Sequence, residues 1–134
     1  MVIDTVVIPM LWGWLGAAGL MTVLWLWQMR SGNAGIVDVG WAFAIGSLAL
    51  FAALQSDAWW PRAILVGGVG AVWGYRLAWH LLRDRIWNRP DEGRYVTLRE
   101  NWSSHVERAF FIFFQAQALL AIILALPFFL ALRN

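Results

Sequence analysis

The chain has 134 residues, 61% of them hydrophobic and only 13% charged, with a formal net charge of +2 and a mean hydropathy of +0.63. Soluble domains carry about 25% charged residues, so the composition reads as one integral membrane domain over residues 1–134 and argues against a nucleic-acid partner. There is no cysteine and all ten basic residues are arginine, which excludes disulfides, thiolate catalysis, a lysine Schiff base and a P-loop lysine.

Residues 6–29 form the first predicted span, long enough for a hydrocarbon core of about 30 Å. The run is too long for a cleavable signal peptide, and Asp4 stands where such peptides are basic. Gly13, Gly16 and Gly19 give this helix a narrow side for packing against another helix. Arg30 to Asn33 reads as a turn, with Asn33 a candidate N-cap. Residues 35–55 make the second span, whose one charge is Asp38. Trp59 and Trp60 are placed at an interface, where tryptophan is favoured. Pro61 opens the third span, residues 61–83, and Gly70 with Gly74 invites close backbone approach. Residues 88–104 read as a long polar loop, with a short turn over Thr97–Glu100, before a fourth span at 105–132 that Pro127 should kink. The fold expected is therefore all-α: a polytopic membrane bundle of four transmembrane helices with a long cytoplasmic loop between the third and fourth.

Arginine placement sets an expected orientation. Arg30 lies in the first loop, and Arg83, Arg85, Arg89, Arg94, Arg99 and Arg108 lie in or beside the third, against Arg62 and Arg133 on the opposite side. The positive-inside rule puts the first and third loops in the cytoplasm and both termini outside, in a bacterial inner membrane.

Ionisable groups inside spans are costly and mark function by default. Arg76 and His80 are four residues apart and share a helix face. If the faces of three helices turn inward, Asp38, Tyr75, Arg76, His80 and Gln115 line a polar pocket open to the cytoplasm. Each also has a structural alternative: an Asp38–Arg76 ion pair, an interfacial His80, a Gln115 that only bridges helices, and packing for Tyr75. Two separated histidines without cysteine make a metal site unexpected, and no GxGxxG or Walker pattern is present. Ser47 has no histidine at a suitable depth to make it a nucleophile.

Four runs carry a resemblance: Asn33-Ala-Gly-Ile-Val-Asp-Val-Gly-Trp41, Trp73-Gly-Tyr-Arg-Leu-Ala-Trp79, Asp91-Glu-Gly-Arg-Tyr95 and Phe114-Gln-Ala-Gln-Ala118. In order and spacing the chain resembles the N-terminal half of a bacterial membrane family, largely of unassigned function, related to steroid 5α-reductases. The resemblance implies a helical membrane enzyme that uses NADPH to reduce a carbon–carbon double bond conjugated to the carbonyl of a lipid or steroid-like substrate. In steroid 5α-reductases an acid on the second helix and a tyrosine on the third hold that carbonyl. Asp38 is the counterpart of the acid, although shorter than the usual glutamate. Counting from the shared arginine, Arg76, the tyrosine position falls on Trp73, with Tyr75 its neighbour. The candidate assignments are then Asp38 and Tyr75 as catalytic groups, Trp41, Trp73 and Gln115 against substrate, and Arg76, His80, Arg94 and Tyr95 toward NADPH.

The resembling family continues through further helices that carry an Arg-His-Pro-Asn-Tyr-like segment and most NADPH contacts. The leading expectation is thus the N-terminal part of such a reductase, incomplete alone and completed by a C-terminal half-protein or a homo-oligomer. The alternative is a stand-alone four-helix subunit with a structural or partner-binding role. A small transporter or proton relay using Asp38 and His80 is a third reading.

Overall fold

The computed structural model describes residues 3–86, 93–102 and 104–133. Among them every regular element is a helix. A short π-helical stretch, Ile3–Val7, runs into α1, Ile8–Ser31; α2 is Ile36–Gln55 and α3 is Trp60–Leu81, continued by a π turn over Leu82–Ile86; α4 is Gly93–Asn101 and α5 is Val106–Ala131. Three segments, Ile3–Ser31, Ile36–Gln55 and Val106–Ala131, are long and apolar enough to cross a membrane. Their side chains exposed on the outside of the bundle, such as Leu15, Val23 and Ile123, suit hydrocarbon rather than water.

α1, α2 and α5 pack on one another as a three-helix core, and α3 lies against α2 on its outer side. The core is filled by Met21, Val37, Phe110, Phe114 and Phe129, all buried, with small residues such as Ala42, Ala49, Ala52 and Ala121 where helices run close. Pro127 lies inside α5, which continues to Ala131.

The α2–α3 contact is made by residues without bulk. A Cβ built on Gly74 would fall 2.5 Å from the Gly46 Cα, and one on Gly70 would fall 2.4 Å from the Ala49 Cβ. The close approach anticipated for Gly70 and Gly74 is therefore present, with Gly46 as the partner surface. The glycines of α1 behave otherwise. Gly13 meets Leu48 and Ile122, but Gly16 and Gly19 have nothing within 4 Å. They do not form the continuous packing edge expected of them.

Two turns differ from expectation in detail. α1 ends at Gly32, whose φ of 73° is the left-handed conformation glycine adopts without strain, and its N–H returns to the Gln28 carbonyl at 2.9 Å. Asn33 is buried and accepts from the Gly35 N–H at 3.0 Å, closing the turn one residue before α2 begins rather than capping the helix. The larger difference is α4, a helix where a loop with one short turn was anticipated. Tyr95, Leu98 and Trp102 recur at helical spacing, and Tyr95 is completely buried against the bundle end.

Candidate functional site

The crossing of α2 and α3 determines where their polar side chains meet. Because backbones touch at Gly46 and Gly74, the residues that follow them are brought side by side. Ser47 Oγ and Tyr75 Oη lie 2.9 Å apart. The Phe43 ring sits 5.1 Å from that of Tyr75 at a tilted angle.

Ser47, but not Tyr75, borders a cleft of about 340 Å³ between α1 and α2. Gly13 and Gly16 form one wall, Phe43, Leu48 and Phe51 the other, and Ser47 carries the only hydroxyl among the lining residues. Gly16, where an added Cβ would meet nothing within 4 Å, faces this open space. The spacing that suggested a packing edge on α1 thus leaves a space instead.

Asp38 is elsewhere. It lies about 13 Å before Ser47 along α2, and both its carboxylate oxygens accept from the Tyr95 hydroxyl, at 3.1 and 3.0 Å. Rings of Phe110 and Phe113 flank Tyr95 at 6.5 and 6.1 Å between centroids. Tyr95 therefore ties α4 to α2.

The same end of the bundle holds a network that the sequence did not reveal. Gln28, fully buried, donates to Glu107 Oε2 at 2.8 Å and accepts from Arg99 Nη2 at 2.7 Å. Arg99 Nη1 is 3.9 Å from Glu107 Oε1, and its guanidinium lies 4.8 Å from the centre of the Phe110 ring. The Trp25 indole N–H donates to the Glu107 carbonyl at 2.8 Å. Gln28 satisfies both faces of its amide, as a buried amide must. The available signal was a lone amide in the last turns of an apolar helix.

The expected pocket of Asp38, Tyr75, Arg76, His80 and Gln115 does not form. Arg76 follows Gly74 by two residues, which turns it roughly 200° around α3 from the glycine face. It is exposed on the outer side, and no described residue pairs with it. His80 is exposed on that side too, its Nδ1 3.0 Å from Asp84 Oδ2, and Asp84 also meets Arg83 at 3.4 Å. Arg76 lies about 8 Å from the end of α3, within reach of the interface for a long side chain. Gln115 donates to Thr22 Oγ1 at 2.9 Å and to the Ala18 carbonyl at 3.3 Å, joining α5 to α1. Of its two readings, the helix bridge is the one present. Trp73 is exposed, and the buried Trp41 indole nitrogen has no hydrogen-bond partner.

Residues 24–134 match the family model described as a protein of unknown function, DUF1295. The chain belongs to that family. No curated protein and no solved structure matches it. The DUF1295 region takes in α2 to α5 and the latter part of α1, and so includes Ser47, Tyr75, Asp38, Tyr95 and the Gln28–Arg99–Glu107 network. Within it, the residues assigned to NADPH do not converge. Arg76 and His80 face outward on α3, Tyr95 is wholly buried against Asp38, and the Arg94 side chain lies outside the described residues.

Proposed function

We propose that this DUF1295 chain is the substrate-holding, N-terminal part of a membrane reductase of the steroid 5α-reductase type, and that the α1–α2 cleft receives an enone lipid. The observation that carries the reading is an apolar cleft whose one hydroxyl, Ser47, is hydrogen-bonded to a second, Tyr75. Reduction of an enone builds negative charge on the carbonyl oxygen. With Tyr75 donating to Ser47 Oγ, the Ser47 proton is free to point at that oxygen. A donor aimed at developing charge in a water-excluding site stabilises it more than the same donor in water. The carbonyl-holding role then passes from Asp38 to Ser47, with Tyr75 as the group that orients it. NADPH remains the reductant implied by resemblance.

The same reading takes α3 as a fourth span. Its 22 residues make a helix about 33 Å long. Its lower apolarity reflects a glycine face already covered by α2 and the polar pair Arg76 and His80 near one end. Both termini are then non-cytoplasmic, by arginine placement.

The test is spectroscopic. A steroid enone labelled with carbon-13 at the carbonyl is titrated into protein in detergent, and the carbonyl stretch is followed by infrared difference spectroscopy. Saturable binding with a lowered frequency is expected, diminished in Tyr75→Phe and abolished in Ser47→Ala. Binding with an unshifted carbonyl in the unmodified chain would remove the hydroxyl pair from the mechanism.

A structural subunit is the second reading, favoured by one observation. The polar groups at the α4 end are matched between helices, Gln28 with Arg99 and Glu107, and Asp38 with Tyr95, as in an assembly scaffold. Absence of saturable enone binding would leave this reading in place. The proton relay is not favoured: His80 meets Asp84 and Asp38 meets Tyr95, so the two have separate partners.

A further inference from the structure

Beside the bundle, a second groove of about 720 Å³ runs down the outer face of α5, bordered at its top by Trp102 from the end of α4. Its lining is ordered by depth. His105 and Arg108 lie at the start of α5, and Ile112, Phe113 and Ala116 follow one and two turns below. Ile112 is 64% exposed, so the groove floor faces outward. The walls are braced from behind, with the Trp102 ring edge-on to Phe110 at 5.3 Å and the Phe113 ring edge-on to Tyr95 at 6.1 Å.

Charge is sorted across this first turn of α5. Glu107 points into the bundle, where Gln28 and Arg99 hold it. Arg108 points outward, exposed, with no described partner. His105 Nδ1 is 2.9 Å from Ser104 Oγ. Among the described residues, no acidic side chain lines the groove. α5 has 26 residues, about 39 Å, longer than a hydrocarbon core of about 30 Å. With the charged first turn at headgroup level, Ile112 to Ala116 lie about 6–12 Å deeper, one to two turns, among acyl chains. The first N–H groups of α5, which receive no side-chain cap, add positive potential at the same level.

We infer that the α5 groove binds one anionic phospholipid, its phosphate on Arg108 beside His105 and an acyl chain laid over Ile112, Phe113 and Ala116. A zwitterionic lipid would fill the floor equally well but would cancel its phosphate charge with its own ammonium beside Arg108. That difference favours the anionic lipid. The groove is separate from the α1–α2 cleft, and the inference does not depend on the enone reading.

The absence of cysteine permits a site-resolved test. Ala116→Cys, labelled with bimane, is reconstituted in phosphatidylcholine vesicles into which brominated phosphatidylglycerol or brominated phosphatidylcholine is mixed. Leu15→Cys, 54% exposed on α1 and outside the groove, serves as the reference. Several-fold stronger quenching by the brominated phosphatidylglycerol is expected at position 116, parity at position 15, and parity at both once Arg108→Gln is added. Arg108 is exposed and has no partner among the described residues, so that change leaves the fold intact, which circular dichroism checks. Parity at position 116 in the original background would mean an ordinary annular lipid and overturn the inference. A preference surviving Arg108→Gln, or no quenching because the groove is covered by protein, would do so as well.

Discussion

Tyr95 is the residue on which most of the α4 end converges, since it is fully buried, hydrogen-bonded to both oxygens of Asp38 and wedged between phenylalanine rings. Its chemistry in the sequence is ambiguous, because a tyrosine in an arginine-rich segment serves a phosphate as readily as a buried acid. In the fold it is an anchor. Tyr95→Phe keeps the ring packing and removes one donor to a carboxylate, and such bonds contribute about 1.5–3 kcal/mol. Thermal unfolding in detergent should show a loss of that order, whereas Arg76→Gln, on the outer face, should leave the midpoint nearly unchanged. Had Asp38 and Arg76 formed the buried pair considered from sequence, the two effects would be reversed in rank. Both residue types were legible as unusual in a membrane span; their partners were not, because partners depend on how each helix is rotated about its axis.

At the scale of elements, the α2–α3 contact offers the sharpest contrast. Gly74→Ala places a methyl group against the Gly46 backbone, which cannot yield as a side chain does, while Gly68→Ala meets nothing within 4 Å. Overpacking costs roughly 1–3 kcal/mol, whereas alanine in an unobstructed helical position gains up to about 1 kcal/mol over glycine. The two variants should therefore move the unfolding midpoint in opposite directions. Gly74→Ala should also separate Ser47 from Tyr75 and weaken any enone carbonyl shift, a coupling that Gly68→Ala does not share. A common shift in both would show that α3 is not seated on its glycine face. α4 is the element that sequence reading under-described. It is too short and too polar to be seen as a helix alone, and it is held in place by three side chains, Tyr95, Leu98 and Arg99, that find their sites only on the assembled bundle end.

For the whole molecule, the remaining expectation is topological. Arginine is concentrated on the side of the α1–α2 and α3–α5 connections, and each charge there opposes translocation. A phosphatase reporter fused after Arg133 should be active on the non-cytoplasmic side of a bacterial host, and a β-galactosidase fusion at the same point inactive. The reverse pattern would mean an odd number of crossings, with α3 resting at the interface instead of spanning.

Apolar run length and charge scarcity are local properties, so the sequence by itself determined that this is a helical chain of the membrane type, and its four long helices lie within a few residues of the predicted spans. The small residues at Gly70 and Gly74 likewise announced a close helix contact, because no larger residue permits one. Only the tertiary structure decided the rest. Helix rotation turned Arg76 and His80 outward, set Tyr75 on Ser47 and sent Asp38 to Tyr95. The gap beside Gly16 became a cleft because no neighbour came to fill it. Spacing along one helix says which residues share a face. It cannot say what that face meets, since the packing energy that fixes the rotation is shared among residues far apart in the chain.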